Sequence, residues 1–236
     1  MVLQGYAPAQ GNRLLNRLPA DERAALLAVA ELVTLRVGQE LHRQDGPVPH
    51  VYFPTSGMCS VTVQTASGAA IETAMVGNEG MVGIPVFLGL DFAPHRAVAQ
   101  VAGGGIRVER TAFTRLARNG TALERIVRRY VAYRLRYAHQ TVACHALHSV
   151  EERACRWLLT THHGSNSAHI DLTHEMLAEM LGVHRQTVSV VAGTLQRAGL
   201  IAYRRGRLEV RDSAGLRDAA CECYGETQRL YERIMQ

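Results

Sequence analysis

Between Leu172 and Ile201 apolar residues recur at helical spacing in two short blocks, separated by a glycine. Met176, Leu177, Met180 and Leu181 share one face of the first block. Thr173 stands where a helix needs its N-cap, and Glu175 sits in the first turn, where the helix dipole favours an acid. Gly182 supplies the left-handed residue that ends this helix. The second block, from about Arg185 to Arg197, turns Val188, Val191 and Leu195 inward and closes at Gly199. Arg185, Gln186 and Ser189 are left outside near its start, with Val190 beside them. Two short helices, a tight turn and a polar opening to the second predict a helix-turn-helix. The next stretch, "LIAYRRGRLEVRD" (200–212), reads as two alternating strands around Arg204-Arg205-Gly206, a hairpin with a basic tip that also carries Arg207.

Upstream the period changes twice. "NRLLNRLPADERAALLAVAEL" (12–32) has helical spacing, with Leu26, Leu27 and Val29 to Leu32 as its apolar side and Pro19 and Asp21 at its start. From about Val33 to about Arg110, short Val-, Thr- and Ala-rich runs alternate with the turn signals "DGP", "TSG", "ASG", "GNEG" and "GGG". That spacing predicts a sandwich or small β-barrel. "TAFTRLARNG" then predicts a short helix closed by Asn119-Gly120. Thr121-Ala-Leu-Glu124 follows as a capping box. No Gly or Pro interrupts the chain from there to about His148. A helix of roughly 28 residues would be about 42 Å long. Its stripe of Leu123, Ile126, Val127, Tyr130, Val131, Ala138, Thr141, Val142 and Leu147 is too long for one small domain to cover, and predicts packing along a second copy. A further helix (150–162) and a polar linker, "HGSNSAH" (163–169), lead into the helix-turn-helix.

Charge adds a polarity to this order. The chain has no lysine, so its 26 basic residues are all arginine. Residues 1–100 hold 6 of them against 8 acids, and residues 101–236 hold 20 against 13. A polyanionic partner would meet the second half. Residues 184–211 alone carry 6 arginines and 1 acid. No apolar run reaches the about 18 residues of a membrane span, and "MVLQGYAPAQGNR" lacks a signal-peptide core, so a cytoplasmic protein without a membrane partner is expected. The five cysteines, Cys59, Cys144, Cys155, Cys221 and Cys223, form no disulfide framework and no Cys-x-x-Cys pair. On a helix Cys221 and Cys223 would point to different faces. No metal ligand and no catalytic residue is assigned.

These blocks together resemble the family of the cyclic-AMP receptor protein and the fumarate-nitrate-reduction regulator. "DGPVPHVYFPTSGMCSVTV" is similar to its sensor domain, and "LTHEMLAEMLGVHRQTVSVVAGTLQRAGLI" to its DNA-binding motif. The resemblance implies an α+β fold: a β-roll (jelly-roll, cyclic-nucleotide-binding-like) sensor over 1–120, a dimerisation helix over 121–149 and a winged helix-turn-helix over 150–236. It implies a homodimeric transcription regulator that binds an inverted-repeat operator in double-stranded DNA and works with RNA polymerase.

Within the motif, Arg185 matches the arginine that reads guanine, and Thr187 a residue that faces the DNA backbone. His184 replaces the family's serine, Gln186 stands where many members have glutamate, and Val190 where many have a second base-contacting arginine. Arginine fits guanine O6/N7 and glutamine fits adenine, while Arg204, Arg205 and Arg207 on the wing are placed for phosphates. The sensor half departs further. Arg96 matches the family's phosphate arginine, but Ala97 replaces the following serine and no glutamate falls at the ribose position. Cyclic AMP is therefore not expected, nor is an iron–sulfur cluster, because the redox members' N-terminal cysteine cluster is absent. The effector is left unassigned. Two other readings compete: a cupin-like metal enzyme, for which His42, His50 and His95 are spaced too far apart, and an interaction module with a vestigial winged helix.

Overall fold

A computed structural model of the chain describes residues 11–165 and 169–236. The centre of the polar linker, 166–168, and residues 1–10 lie outside the described residues.

After a single 3₁₀ turn (Leu15–Arg17), helix α1 (Ala20–Ala28) begins behind Pro19 and ends sooner than its sequence pattern predicts. From Ala30 the chain is strand β1 (Ala30–Leu35), paired antiparallel with β7 from Ala30↔Val108 to Leu35↔Gly103. "AVAEL" carries a helical pattern, but the β-branched residues of "LVTL" and an open sheet edge beside them favour the strand. Leu32, expected on the helix's apolar side, is 57% exposed.

Strands β2 (Glu40–His42), β3 (His50–Pro54), β4 (Met58–Gln64) and β5 (Ala70–Val76) follow. The short helix α2 (Ile84–Phe87) then precedes β6 (Arg96–Val101) and β7 (Gly103–Glu109). They form two facing antiparallel sheets, ordered β1-β7-β3 and β2-β6-β4-β5, which make the β-roll. Its core of Phe53, Ile106, Val108, Leu14, Leu15 and Leu26 is sealed by Phe113 of α3 (Arg110–Leu116).

Helix α4 (Ala122–Leu147) runs 26 residues, about 39 Å. Thr121 accepts the Glu124 N–H at 3.1 Å, as a cap should. The other half of the expected capping box is not made, because Glu124 turns along the helix to pair with Arg128. Glu22 of α1 serves instead, its carboxylate accepting the N–H groups of Ala122 (2.8 Å) and Leu123 (2.9 Å). The predicted single stripe divides in two. Leu123, Val127, Tyr130, Tyr133, Tyr137, Thr141 and Cys144 are buried within the chain, while Leu135 and Val142 stand 61% and 70% exposed on another side. Tyr130 lies so close to the roll that a Cβ on Gly80 would meet its hydroxyl at 2.0 Å.

Helix α5 (Val150–Ser165) leads to β8 (Ile170–Asp171), α6 (His174–Leu181), α7 (Arg185–Arg197), β9 (Ile201–Arg204) and β10 (Arg207–Val210). These strands form the sheet β8-β10-β9. After α8 (Ser213–Asp218), helix α9 (Cys223–Met235) returns along α4 to the roll. There Tyr231 sits edge-on to Tyr133 and donates its hydroxyl to the Glu79 carbonyl at 2.8 Å. Arg13 lies over the Tyr231 ring and pairs with Glu232 at 2.6 Å. The return of α9 is not legible in the sequence reading, which takes everything after 150 as one DNA-binding unit.

Candidate nucleic-acid interface

Thr173 accepts the Met176 N–H at 3.1 Å and fixes the start of α6. Gly182, at φ 64°, ends it in the left-handed conformation. His184 caps α7 by backbone alone, with no side-chain cap bond. Val188, Val191, Ala192 and Leu195 of α7 are buried, in one core with Leu177, Leu181 and Trp157. At about 25 cal/mol per Å² of apolar surface, that burial fixes which face of α7 looks outward.

The outward face carries His184, Arg185, Gln186 and Ser189, all exposed, with Val190 at 68% exposure. Thr187 is only half-buried, toward the edge. The structure thus brings these six together at the N-terminal end of α7. It adds two partners that sequence spacing did not suggest. Glu175 of α6 holds Arg185 at 2.7 Å, and His174 Nδ1 lies 2.8 Å from Ser189 Oγ while its ring stacks on Tyr203 of the wing at 4.7 Å. Ser189 also donates to the Arg185 carbonyl at 3.1 Å. The Arg185–Glu175 pair is exposed on both sides. Such pairs are worth only about 0–1 kcal/mol, so it holds the guanidinium in place yet yields to a better acceptor.

The wing is joined to α7 by Gln196, whose side-chain oxygen accepts the Tyr203 N–H at 3.2 Å. Its tip is a two-residue turn with Arg205 at φ 52° and Gly206 at φ 78°. Both residues are left-handed, as the tightest hairpins require. Arg204 and Arg205 point into solvent, and Arg207 is also exposed, pairing with Asp171 at 3.4 Å. Glu175 and Asp171 therefore lower the excess of positive charge expected from residues 184–211.

The roll offers less to an anion. Arg96 is tied to Glu40 at 3.0 Å, which also holds Arg43 at 2.7 Å. Those two arginines keep the Glu40 carboxyl below its usual range. A cavity of about 400 Å³ lies between the roll, α4, α5 and α9. Met58, Met75, Tyr133 and Tyr137 line it together with Glu79 and Glu232, and its one arginine, Arg13, already pairs with Glu232. Glu79 in turn accepts the Gly77 N–H. His42 and His95, distant in sequence, meet with ring centroids 5.4 Å apart, whereas His50 lies beside Tyr52. Burial and the neighbouring His95 push His42 down to about 4, so it is neutral near pH 7.

This geometry defines a winged helix-turn-helix, a DNA-binding module with its reading helix exposed. Residues 152–219 match the Crp-like helix-turn-helix domain family. The chain is similar in fold to FixK2 from Bradyrhizobium japonicum, at 18% identity over 82% of this chain and 98% of that one, with a TM-score of 0.66. It is similar also to CLP, a c-di-GMP-responsive global regulator from Xanthomonas campestris, at 16% identity over 82% of this chain and 100% of that one (TM-score 0.65). A third likeness is to a CRP-family transcriptional regulator from Thermus thermophilus, at 22% identity over 80% of this chain and 96% of that one (TM-score 0.65). No curated protein matches the chain. Residues 152–219 are thus a Crp-like helix-turn-helix domain, and the fold around them is similar to that of regulators described as CRP or CRP/FNR family.

Proposed function

We propose that the chain acts in the cytoplasm as a homodimer that reads an inverted-repeat operator without cyclic AMP. The observation that carries the dimer is the exposed side of α4. Leu135 and Val142 are left exposed, and with half-buried Val131 and Ala138 they follow a 3-4 spacing along the helix. That is the seam a parallel helix pair needs. Among the described residues, no helix is long and apolar enough to cross a membrane.

Arg185 would read a guanine in each half-site, Gln186 an adenine beside it, and Val190 a thymine methyl. His184, Thr187 and Ser189 would border the bases at the start of α7, while Arg204, Arg205 and Arg207 hold phosphates. Two-fold symmetry would set the half-sites about 34 Å apart. The argument against cyclic AMP is the roll's chemistry: Arg96 is engaged by Glu40, and the cavity beside α4 is lined by two acids. RNA polymerase is the partner through which a bound dimer would act on transcription. Selection of bound sites from random DNA tests the reading. An inverted repeat with one guanine per half supports it, and a direct repeat or no enriched sequence overturns it.

A further inference from the structure

We propose that Cys144, His148, Cys221 and Cys223 form a zinc site that fixes the joint between α4 and the DNA-binding half. One ligand atom from each of the four lies within 4.8 Å of every other. Cys144 and His148 are one helical turn apart, so they share a face at the end of α4. Cys221 precedes α9 in a turn, and Cys223 is the helix's first residue. The expectation that Cys221 and Cys223 point apart assumed one helix through both. The turn before α9 removes that assumption and lets the two thiols converge.

The spacing suits a tetrahedral ion. With Zn–S near 2.3 Å and Zn–N near 2.0–2.1 Å, tetrahedral edges are about 3.8 Å for S···S and about 3.6 Å for S···N. Cys144 Sγ and Cys221 Sγ are 3.6 Å apart, as are Cys223 Sγ and His148 Nδ1. All three cysteines are buried, and His148 is half-buried.

The surroundings also point to a metal. Zinc-binding histidines commonly give their second nitrogen to a carboxylate, and His148 Nε2 lies 3.1 Å from Glu222. Gln140 Nε2 donates to Cys223 Sγ at 3.0 Å, as amide donors do to metal thiolates. Arg156, buried and with its Nε unpaired, stands within electrostatic reach of Cys144 and Cys221. Three thiolates and an imidazole around Zn²⁺ carry one net negative charge, which Arg156 would offset. Binding would release three thiol protons to solvent and change no oxidation state. With all four positions filled by protein, the site is closed and does no hydrolytic chemistry.

Its place gives it a consequence. His148 is the C-cap of α4, and α5 starts two residues later at Val150. An ion there would tie the joint to the start of α9, so the angle at which the helix-turn-helix leaves α4 would follow metal occupancy. This last step rests on the DNA-binding reading; the site itself does not.

The test uses the full-length chain, purified anaerobically, stripped with a chelator and titrated with Co²⁺ and then Zn²⁺. One equivalent of Co²⁺ per chain is expected, with thiolate-to-cobalt charge-transfer bands and tetrahedral d–d bands that Zn²⁺ displaces. Cys223→Ser and His148→Ala should lose the bands. His148→Cys should keep them, and so should Cys59→Ala, whose thiol lies elsewhere. Glu222→Gln should weaken zinc about 10- to 100-fold. Circular dichroism of each variant separates lost metal from lost fold. Absent or octahedral cobalt bands in the folded wild type, or bands that survive Cys223→Ser, would overturn the site, as would a Cys144–Cys221 disulfide formed in place of metal uptake. DNA affinity of metal-loaded and stripped protein is measured separately. Equal affinity overturns the coupling to the joint and leaves the spectroscopic result standing.

Discussion

The indole of Trp157 donates its N–H to Glu72 Oε1 at 2.9 Å, from α5 of the DNA-binding half into β5 of the roll. Ser60 donates to the other carboxylate oxygen at 2.6 Å. Burial dominates, and against these two bonds and the nearby Arg156 and Arg134 it raises the Glu72 pKa from 4.5 to about 7. The folded state thus prefers the neutral acid. That contribution is fully present below about pH 4.5 and is lost as pH rises toward about 7, beyond which this group adds no further change. Denaturant unfolding between these values should show a slope of up to about 1.4 kcal/mol per pH unit from this residue. Glu72→Gln, neutral at every pH, should flatten it. An unchanged slope in that variant would assign the effect to another group.

Arg185→Ala should cost roughly 1–3 kcal/mol per half-site and relax the preference at one base pair. Binding to single-base operator variants measures this. A uniform loss across all sequences would mean that Arg185 touches phosphate instead.

Glu175 competes with DNA for Arg185 and adds a negative charge beside the operator. Glu175→Gln is expected to tighten binding a few-fold at low salt without altering the selected sequence, since an exposed pair is worth about 0–1 kcal/mol. Fluorescence anisotropy on operator and random DNA separates the two effects.

On the wing, Arg204→Ala and Arg205→Ala should weaken all sequences alike. Each lost phosphate contact should flatten the plot of log K against log salt by about one unit. A salt series on the selected site decides it.

Leu135→Arg with Val142→Arg places charge in the proposed α4 seam while leaving the tyrosine face untouched. Sedimentation should move from near twice 25.9 kDa to 25.9 kDa. A wild type that already sediments as a monomer at micromolar concentration removes the seam, and with it the expectation of a palindromic site.

Local chemistry made much of this fold readable. Thr173, Gly182, Gly199 and the Val188-Val191-Leu195 face are features in which one residue's requirement is visible beside it. The β-runs between Val33 and Arg110 were legible for the same reason. What was hidden depends on distant partners. "AVAEL" could not reveal that β7 would claim Ala30–Leu35. Thr121-x-x-Glu124 could not reveal that Glu22, a hundred residues earlier, would take the amides at the start of α4. Glu175 read as a first-turn acid, because its pairing with Arg185 depends on how α6 crosses α7. The cysteine cluster was missed for a similar reason, since Cys144 and Cys221 meet only after α9 has turned back.

The return of α9 also orders events while the chain is being made. Most of the reading head is made by Asp218, the end of α8, and its core is drawn mainly from residues nearby in sequence, joined by Met58, Met75 and Val101 of the roll and Tyr224 of α9. The roll and α4 are different: Arg13 meets Glu232 across nearly the whole chain, and Tyr133 meets Tyr231 from almost a hundred residues away. Contacts of that separation form late, and none of them can form before α9 has left the ribosome. During synthesis the protein therefore holds a nearly finished DNA-reading surface on a body still open along its tyrosine face. A chaperone would find its target on that face.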